Sequence, residues 1–353
     1  MRYSTHDFRS VLGRAVIILW IFWIVGIGGV SLSASERSDL LVPVQSNPTS
    51  FSFVADFMFW TARESGADCW AEVITTQGSA SSNLLKAVAF DWEPGLRVGI
   101  GYEKLRDSWN TQAYYTRFHT QGRDAVSSDP GAVHSTFMGA FYVDNTAGAG
   151  ITGPSYEKAS IDWTLTFNMF DWNFNRNFHL SPALFLRFMF GIKGGWIDQF
   201  IDSKWINPDL TGSFAGAPFF LVGCEKVRNN FWGIGPQAGI ETKWFLMPRI
   251  FALFGDFSGA IMWGRWSFRD RFTNDASQVI NIVTEHINNG ATTVRSLMGF
   301  CWDVALRQMH LTFKLGYESQ FWLDQLTFYS FVGGRFNNIL ALQGGTFDVF
   351  LEF

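Results

Sequence analysis

The stretch GGTFDVFLEF, residues 344–353, alternates apolar and polar side chains and ends on an aromatic ring. Successive side chains of a β-strand point to opposite faces, so the two parities of this stretch would lie on opposite sides of a sheet. One parity carries Phe347, Val349, Leu351 and Phe353, and the other carries Asp348, Phe350 and Glu352. We expect no later segment to cover the apolar face. We therefore expect this strand to close a sheet that has no free edges.

The same period of two recurs along the chain. It is clearest in AFDWEPGLRVGIGYE at 89–103, SIDWTLTFNM at 160–169, FWGIGPQAGIETKW at 231–244 and HLTFKLGYE at 310–318. In each stretch one parity is apolar and rich in aromatic residues, whereas the other carries Gly, Thr and charged residues. These runs are longer than the about five or six residues of an average soluble strand. They favour a transmembrane β-barrel, in which all backbone polar groups are paired, over a secreted sandwich with one solvated face.

The composition indicates interleaved rather than continuous hydrophobicity. The chain has 37 Phe, 16 Trp and only 16% charged residues, yet its mean hydropathy is +0.06. The formal net charge of −4 provides no basic surface of the kind that nucleic acid requires, so we exclude nucleic acid as a partner. Beyond residue 34, no run of about eighteen apolar residues predicts a helical membrane span.

Residues 1–34 have the three parts of a secretory signal peptide. Arg2, Arg9 and Arg14 precede the uncharged run AVIILWIFWIVGIGGV at 15–30, and the small residues of SLSAS follow at 31–35. The apolar run is shorter than the about 20 residues that a spanning helix needs, which favours cleavage over an uncleaved anchor. We expect the protein to be exported, with residues 35–50 forming a periplasmic segment before the barrel.

The alternating runs predict an all-β, antiparallel up-and-down transmembrane barrel over residues 51–353. Ten strands are predicted, at 51–63, 87–103, 108–120, 159–178, 183–198, 231–245, 249–266, 293–306, 310–324 and 343–353. Short turns alternate with long polar loops, which we expect on the cell surface, at 64–86, 121–158, 199–230, 267–292 and 325–342. Twelve strands are an alternative if ADCWAEVITT at 67–76 or LTFYSFVGG at 326–334 pairs into the wall.

Four stretches carry a more specific pattern than alternation alone. They are VADFMFWTARESG at 54–66, AFDWEPGLRVGIGY at 89–102, GGWIDQ at 194–199 and NNFWGIGPQAGIETKW at 229–244. Together they resemble the major outer membrane protein family of Legionella and of chlamydia-related bacteria. The resemblance implies an abundant surface barrel with porin and host-contact functions, and so host surface molecules as partners, without catalytic residues. The final strand, with Phe347, Val349, Leu351 and Phe353, also resembles the signal that the barrel-assembly machinery of Gram-negative outer membranes recognises.

The polar parity of the predicted strands would face the interior of the barrel. The charged residues expected to line a pore there are Asp91, Glu93, Arg97, Glu103, Asp162, Arg187, Lys193, Glu241, Lys243, Asp256, Lys314 and Glu318. In SIDWTLTFNM, this assignment turns Ile161, Trp163, Leu165 and Phe167 towards lipid. Charges of both signs favour a general, weakly selective porin for small hydrophilic solutes and ions. The alternative is a surface adhesin or envelope structural protein whose own side chains close the lumen.

No pattern in the chain predicts catalysis. GIGPQAG at 233–239 lacks the spacing of a phosphate-binding loop, and no two His residues of the exported chain stand at metal-ligand spacing. We therefore predict no enzyme activity, no metal and no cofactor. Cys69 and Cys224 both fall in predicted external loops and are candidates for a disulfide, whereas Cys301 is expected to pack in the wall.

Overall fold

The computed structural model describes residues 49–77, 80–104, 109–129, 132–136, 155–206, 221–247, 250–275, 277, 279–284, 287–306, 309–330 and 334–353. The predictions for the signal peptide at 1–34 and for nearly all of the segment at 35–50 lie outside the described residues. Within these ranges, no helix has the length and apolar character that crossing a membrane requires.

The described chain consists almost entirely of β-strands, as the period of two predicts. In chain order the elements are β1 (Thr49–Glu64), a 3-10 helix (Ser65–Cys69), β2 (Ala71–Gln77), β3 (Ala80–Lys86), β4 (Glu93–Lys104), β5 (Trp109–Ser127), β6 (Val133–Ser135), β7 (Ser155–Tyr156), β8 (Lys158–Ser181), β9 (Leu184–Ile206), β10 (Val222–Met247), β11 (Phe251–Asn274), β12 (Val279–Val283), β13 (Ile287–Leu306), β14 (Met309–Ser330) and β15 (Gly334–Glu352).

Ten long strands close into an antiparallel barrel. Around the wall the order is β1, β4, β5, β8, β9, β10, β11, β13, β14 and β15, and β15 pairs again with β1. At this seam Phe53 lies opposite Leu351, and Phe51 and Phe353 exchange two backbone hydrogen bonds of 3.0 Å. The predicted barrel of about ten strands is thus confirmed, with the last strand closing the ring.

Neither segment considered for a twelve-stranded wall adds a strand to it. Residues 67–76 include β2, which pairs with β3 and β6 in a separate four-stranded sheet. Residues 326–330 extend β14 and pair with the first part of β15. Both segments therefore continue structure at one end of the barrel, and the wall keeps ten strands.

The barrel is much taller than a membrane. The longest strand, β10, has 26 residues, which at about 3.3 Å per residue and a tilt of about 40° reach roughly 60 Å along the barrel axis. The apolar band of an outer-membrane barrel is only about 25 Å tall. The loops predicted at 199–230 and 267–292 are therefore too long. β9, β10 and β11 continue through much of these ranges as paired strands.

The two ends of the barrel differ. At the end that we call the turn end, β8 and β9 are joined by two residues, and β1 begins where β15 finishes. At the opposite loop end lies the small sheet of β3, β2, β6 and β7. Trp70, just before β2, is fully buried there, with its ring 5.7 Å from that of Trp205 and its indole N–H donating to Asp124 at 3.0 Å. Bacterial barrels carry their longer connections outside the cell, so the loop end is taken as external.

The outer surface of the wall at mid-height is apolar. In β10, Trp232, Ile234 and Trp244 are more than half exposed, while Gln237 and Glu241 of the opposite parity are buried in the interior. Exposed aromatic rings on a barrel wall are stable only against lipid, which makes this band the membrane-facing surface.

Candidate functional site in the barrel interior

Aromatic side chains fill the interior of the barrel in its loop-end half. We call this set the aromatic plug. It comprises Trp60, Phe118, Trp163, Phe167, Phe231, Trp266 and Trp322, each at most 1% exposed. The rings of Phe231 and Trp266 lie 4.4 Å apart, and those of Trp60 and Phe118 lie 5.7 Å apart. These distances are those of packed aromatic pairs in a protein core.

One pair of the plug spans the whole lumen. Phe167 projects from β8 and Trp322 from β14, and these strands lie five positions apart around the ring of ten, on opposite walls. Their ring centroids are 5.4 Å apart in an edge-to-face arrangement. A side-chain hydrogen bond of 2.9 Å from Gln199 of β9 to Gln325 of β14 joins the same walls. The lumen is therefore filled by side chains at this height.

The loop-end half of β8 is inverted relative to the sequence-based expectation. Trp163, Leu165 and Phe167 were expected to face lipid, but they are buried inside the barrel. Asp162, which was expected in the lumen, lies on the outer face and accepts a hydrogen bond of 2.9 Å from exposed Arg123 of β5. The prediction was wrong because this part of the wall rises above the membrane. There the outside meets water and the inside is a dry core, so the polar and apolar faces exchange places.

Below the plug, towards the turn end, the interior changes from apolar to charged. Arg97 of β4 donates to Asp56 of β1 at 2.7 Å and to Glu318 of β14 at 2.9 Å. Arg295 of β13 donates to Glu318 at 2.6 Å and to Asp256 of β11 at 2.8 Å. This chain of contacts connects five strands around the wall. The side chains of Arg97 and Glu318 are almost completely buried.

A second group of ion pairs continues the same layer. Glu241 of β10 accepts hydrogen bonds from Arg187 of β9 at 3.1 Å and from Lys314 of β14 at 2.8 Å. Lys193 of β9 donates to Asp171 of β8 at 2.6 Å. We call the two groups together the ion-pair layer. In it, five basic side chains face five carboxylates, so its charges compensate one another in an interior where unpaired charge is costly.

A small cavity remains within the ion-pair layer. Its volume is about 100 Å³, and its lining includes Gln112, Tyr114, Asn173, Gln237 and Ser258 in addition to the charged groups. The interior below the plug is thus polar and large enough to hold water.

Most residues expected to line a pore lie on the interior face. These are Glu93, Arg97, Glu103, Arg187, Lys193, Glu241, Lys243, Asp256, Lys314 and Glu318. Besides Asp162, the exception is Asp91, which is exposed in the segment before β4, where its backbone N–H donates to the carbonyl of Gln121 at 2.9 Å. The prediction placed Asp91 in a strand that starts at residue 87. In the structure, the Phe90 side chain packs inward against the ring of Trp163, and β4 begins only at Glu93.

Three members of the ion-pair layer were not found from the sequence. Asp56 and Asp171 each stand between two apolar residues of a strand, and Arg295 stands between Val294 and Ser296. Asp56 in VADFMF and Asp171 in MFDWNF are single charges between apolar neighbours. This pattern indicates an interior position in a barrel strand, so the sequence alone could have identified both residues.

The cysteines and the final strand complete the predicted sites. Cys69 and Cys224 are free thiols, and Cys224 lies within β10 rather than in a loop, so the candidate disulfide is not present. Cys301 is also free and packs against Ala252 and Leu297 inside the wall. Phe347, Val349, Leu351 and Phe353 lie on the outer face of the seam, where the ring of Phe353 stacks 5.8 Å from that of Phe53.

No group of three or more His, Cys, Asp or Glu side chains in the described part of the chain is arranged to hold a metal ion. The nearby carboxylates of the interior are instead interleaved with Arg and Lys. The arrangement therefore offers charge compensation and packing.

One protein family and several solved structures are similar to this chain. The family described as Legionella pneumophila major outer membrane protein precursor matches residues 42–353. Among solved structures, the outer membrane protease OmpT from Escherichia coli is similar at 11% identity, with 87% of this chain and 97% of that chain covered and a TM-score of 0.43. A major outer membrane protein from Thermus thermophilus is similar at 11% identity, with 86% and 100% covered and a TM-score of 0.31.

A FadL homologue from Pseudomonas aeruginosa is similar at 10% identity, with 87% of this chain and 90% of that chain covered and a TM-score of 0.32. Because the three TM-scores are below 0.5, these likenesses carry no argument about function. No curated protein matches the chain.

Proposed function

The chain belongs to the Legionella pneumophila major outer membrane protein family and forms an outer-membrane β-barrel, and from this premise we propose that it is a surface and envelope structural protein with a closed lumen. The charge pattern of the sequence favoured an open porin, whereas the packing of the interior favours the alternative. The observation that carries this choice is the contact between Phe167 and Trp322 across the lumen, at 5.4 Å between ring centroids.

Two further features support a closed lumen. The ion-pair layer occupies the interior directly below the plug, where charged side chains from non-adjacent strands meet, Arg97 of β4 with Glu318 of β14 and Lys314 of β14 with Glu241 of β10. The small sheet of β3, β2, β6 and β7 also packs on the loop end through buried Trp70. A solute would have to displace packed aromatic rings, and breaking such packing costs about 3 to 5 kcal/mol for each large side chain removed.

Conductance of the purified, folded protein in a planar bilayer tests the proposal. We expect the native barrel to insert without stepwise currents. The double variant F167A/W322A removes the rings that meet across the lumen, and we expect it to produce current steps. The matched control is Phe321→Ala, which removes a ring of similar size from the outer face of β14. Regular current steps from the native protein would contradict a closed lumen.

A porin for small ions and solutes is the second candidate function. It is favoured by the polar lining of the cavity below the plug, in which Lys193, Arg187 and Glu241 face the lumen. If this part of the interior belongs to a pathway, its charges select the ions that pass. In the F167A/W322A background, Lys193→Gln would leave the Asp171 carboxylate without its partner and shift the current towards cations. The control Lys204→Gln, on the outer face of β9, would leave the selectivity unchanged.

Contact with host surface molecules is the other part of the proposed surface role. It is supported by the β2–β3 hairpin at the loop end, where Leu84 and Leu85 are 61% and 56% exposed. Exposed leucines on both faces of a short edge strand outside the membrane are unusual, and such patches commonly mark contacts with other molecules. Replacing both with Ser should lower adhesion of cells that display the barrel, with the amount of surface barrel as the control.

A further inference from the structure

A basic patch lies on the outer face of the barrel between β10 and β11. It consists of Lys226, Arg228, Arg265, Arg269 and Arg271, all of them exposed. In the register of the two strands Arg228 lies directly opposite Arg269, and Lys226 lies directly opposite Arg271. Like charges in direct cross-strand pairs are destabilising. Two such pairs side by side on one face therefore indicate that a negative group outside the chain compensates them.

The neighbouring strands supply little of this negative charge. On β9, Asp202 contacts Lys226 at 3.3 Å, and the Arg228 guanidinium lies 5.7 Å from the ring of Phe200. Asp198 of the same strand lies opposite Asn230, one step closer to the membrane than Arg228. On the other side, β12 places Val283 opposite Arg269 and Asn281 opposite Arg271, neither of which is charged. Within the described residues, Arg265, Arg269 and Arg271 form no ion pair.

The height of the patch matches the headgroup region of the membrane. Trp232 and Trp263 lie on the same outer face and are 55% and 65% exposed. Trp232 is directly opposite Arg265, and Trp263 lies one step closer to the membrane centre, directly opposite Ile234. Ile261 continues the apolar surface below them. Aromatic rings of this kind mark the interface between acyl chains and headgroups, so Arg265 stands at this interface and the other four basic side chains stand just outside it.

We propose that the basic patch binds the phosphate groups of the phosphorylated glycolipid of the outer leaflet, with the acyl chains of that lipid lying against Trp232, Ile234, Ile261 and Trp263. Guanidinium groups suit this role because their planar donors bind phosphate oxygens in a bidentate manner. Towards the membrane centre the surface carries four cations, then Arg265 level with Trp232, then Trp263 level with Ile234, and this order follows that of phosphate, glycan interface and acyl chain in such a lipid. Through this contact, the part of the barrel that rises above the membrane is anchored to the surrounding lipids.

The test compares lipid binding by the full-length folded barrel in detergent micelles. The variant R265Q/R269Q/R271Q removes three cations of the patch, and R117Q/R123Q removes two exposed cations from the outer face of β5 as a matched control. The probes are diphosphorylated lipid A, the same lipid after removal of its phosphates, and inorganic phosphate alone. The readouts are the lipid bound per barrel and the shift of the melting temperature.

We expect diphosphorylated lipid A to bind the native barrel and the β5 control equally, and to bind the triple variant at least about tenfold more weakly, since three charge-assisted contacts are lost. The dephosphorylated lipid and inorganic phosphate should both bind weakly to the native barrel. Equal binding of lipid A to the native and triple-variant barrels would overturn the proposal. So would inorganic phosphate binding as strongly as the lipid, because that result would indicate a site for free anions.

A single substitution guards against loss of folding in the triple variant. Arg269→Gln relieves the direct opposition to Arg228, so the lipid-free barrel should be at least as stable as the native one. Its affinity for diphosphorylated lipid A should nevertheless fall by several-fold. An unchanged affinity in this folded variant would also overturn the proposal.

Discussion

At the scale of single residues, Arg97 shows how much the interior depends on paired charge. It is 6% exposed and holds both Asp56 and Glu318, two carboxylates from different strands. Arg97→Ala should destabilise the folded barrel by about 3 to 5 kcal/mol, because the buried Asp56 carboxylate loses its ion-pair partner and Glu318 keeps only Arg295. Urea unfolding of the purified barrel in micelles measures this change. Arg117→Ala, on the exposed face of the neighbouring strand, should cost less than about 1 kcal/mol, and equal effects would contradict the importance of the ion pairs.

Phe353 gives a second prediction at this scale. Its ring is 48% exposed on the outer face, stacks on Phe53 and lies where aromatic residues meet the membrane interface. Phe353→Asp removes a ring pair worth about 1 kcal/mol and adds a charge to a lipid-facing seam, so the fraction of folded barrel in outer membranes should fall. Heat-modifiable gel mobility measures this fraction. Glu352→Gln, which keeps an acceptor for the Ser50 hydroxyl inside the barrel, should have little effect.

At the scale of elements, β8 shows that one strand carries two environments. Near the turn end its outward residues Phe170 and Trp172 are exposed to lipid, with Asp171 between them in the interior. Near the loop end its apolar residues point inward instead, and Thr164 and Thr166 face outward. Inward and outward side chains alternate without interruption along β8. The apolar residues therefore change from even-numbered to odd-numbered positions where the surroundings of the wall change from lipid to water.

Substitutions in β8 test this switch directly. Leu165→Asp places a charge in the buried interior beside the plug and should prevent accumulation of folded barrel. Thr164→Asp, on the neighbouring and outward position, should fold nearly normally because its side chain meets water. The heat-modifiable gel shift distinguishes the two. If Thr164→Asp were the more damaging substitution, this part of β8 would have its apolar face in lipid after all.

At the scale of the whole molecule, the free cysteines report which end of the barrel faces outward. Cys69 lies in the 3-10 helix at the loop end, whereas Cys301 is buried near the turn end. A membrane-impermeant thiol reagent should label Cys69 on intact cells and should label Cys301 only after denaturation. Labelling of Cys69 only in broken cells would reverse the orientation of the barrel.

The rate of this labelling should depend on pH in a defined direction. Burial, and to a smaller extent the nearby Asp68 carboxylate, raise the pKa of the Cys69 thiol above its usual value. The thiolate is the reactive form, so labelling should be slow at neutral pH and accelerate as the pH rises through and beyond the usual thiol range of about 8.5. Asp68→Asn should increase the rate at neutral pH by removing the like charge.

The barrel and its interior charges could be inferred from local sequence patterns, but only for the part of the wall that lies in the membrane. Leu315 stands between Lys314 and Gly316, Phe347 stands between Thr346 and Asp348, and both apolar side chains lie on the outer face. The same rule failed for Trp163 and Asp162, since alternation indicates two faces without indicating which one is dry. That depends on the height of the residue relative to the membrane.

The sequence by itself predicted about ten antiparallel strands in an up-and-down order, because strand alternation and short turns are properties of neighbouring residues, and it predicted closure of the last strand on the first because a barrel leaves no free edge. Only the tertiary structure decided that Phe167 meets Trp322, that Arg97 pairs with Glu318, and that Arg228 stands opposite Arg269. These contacts join residues far apart in the chain, and their partners follow from the register and closure of the wall. The filled lumen is therefore a consequence of how the ring closes, and the basic patch is a consequence of the register between β10 and β11.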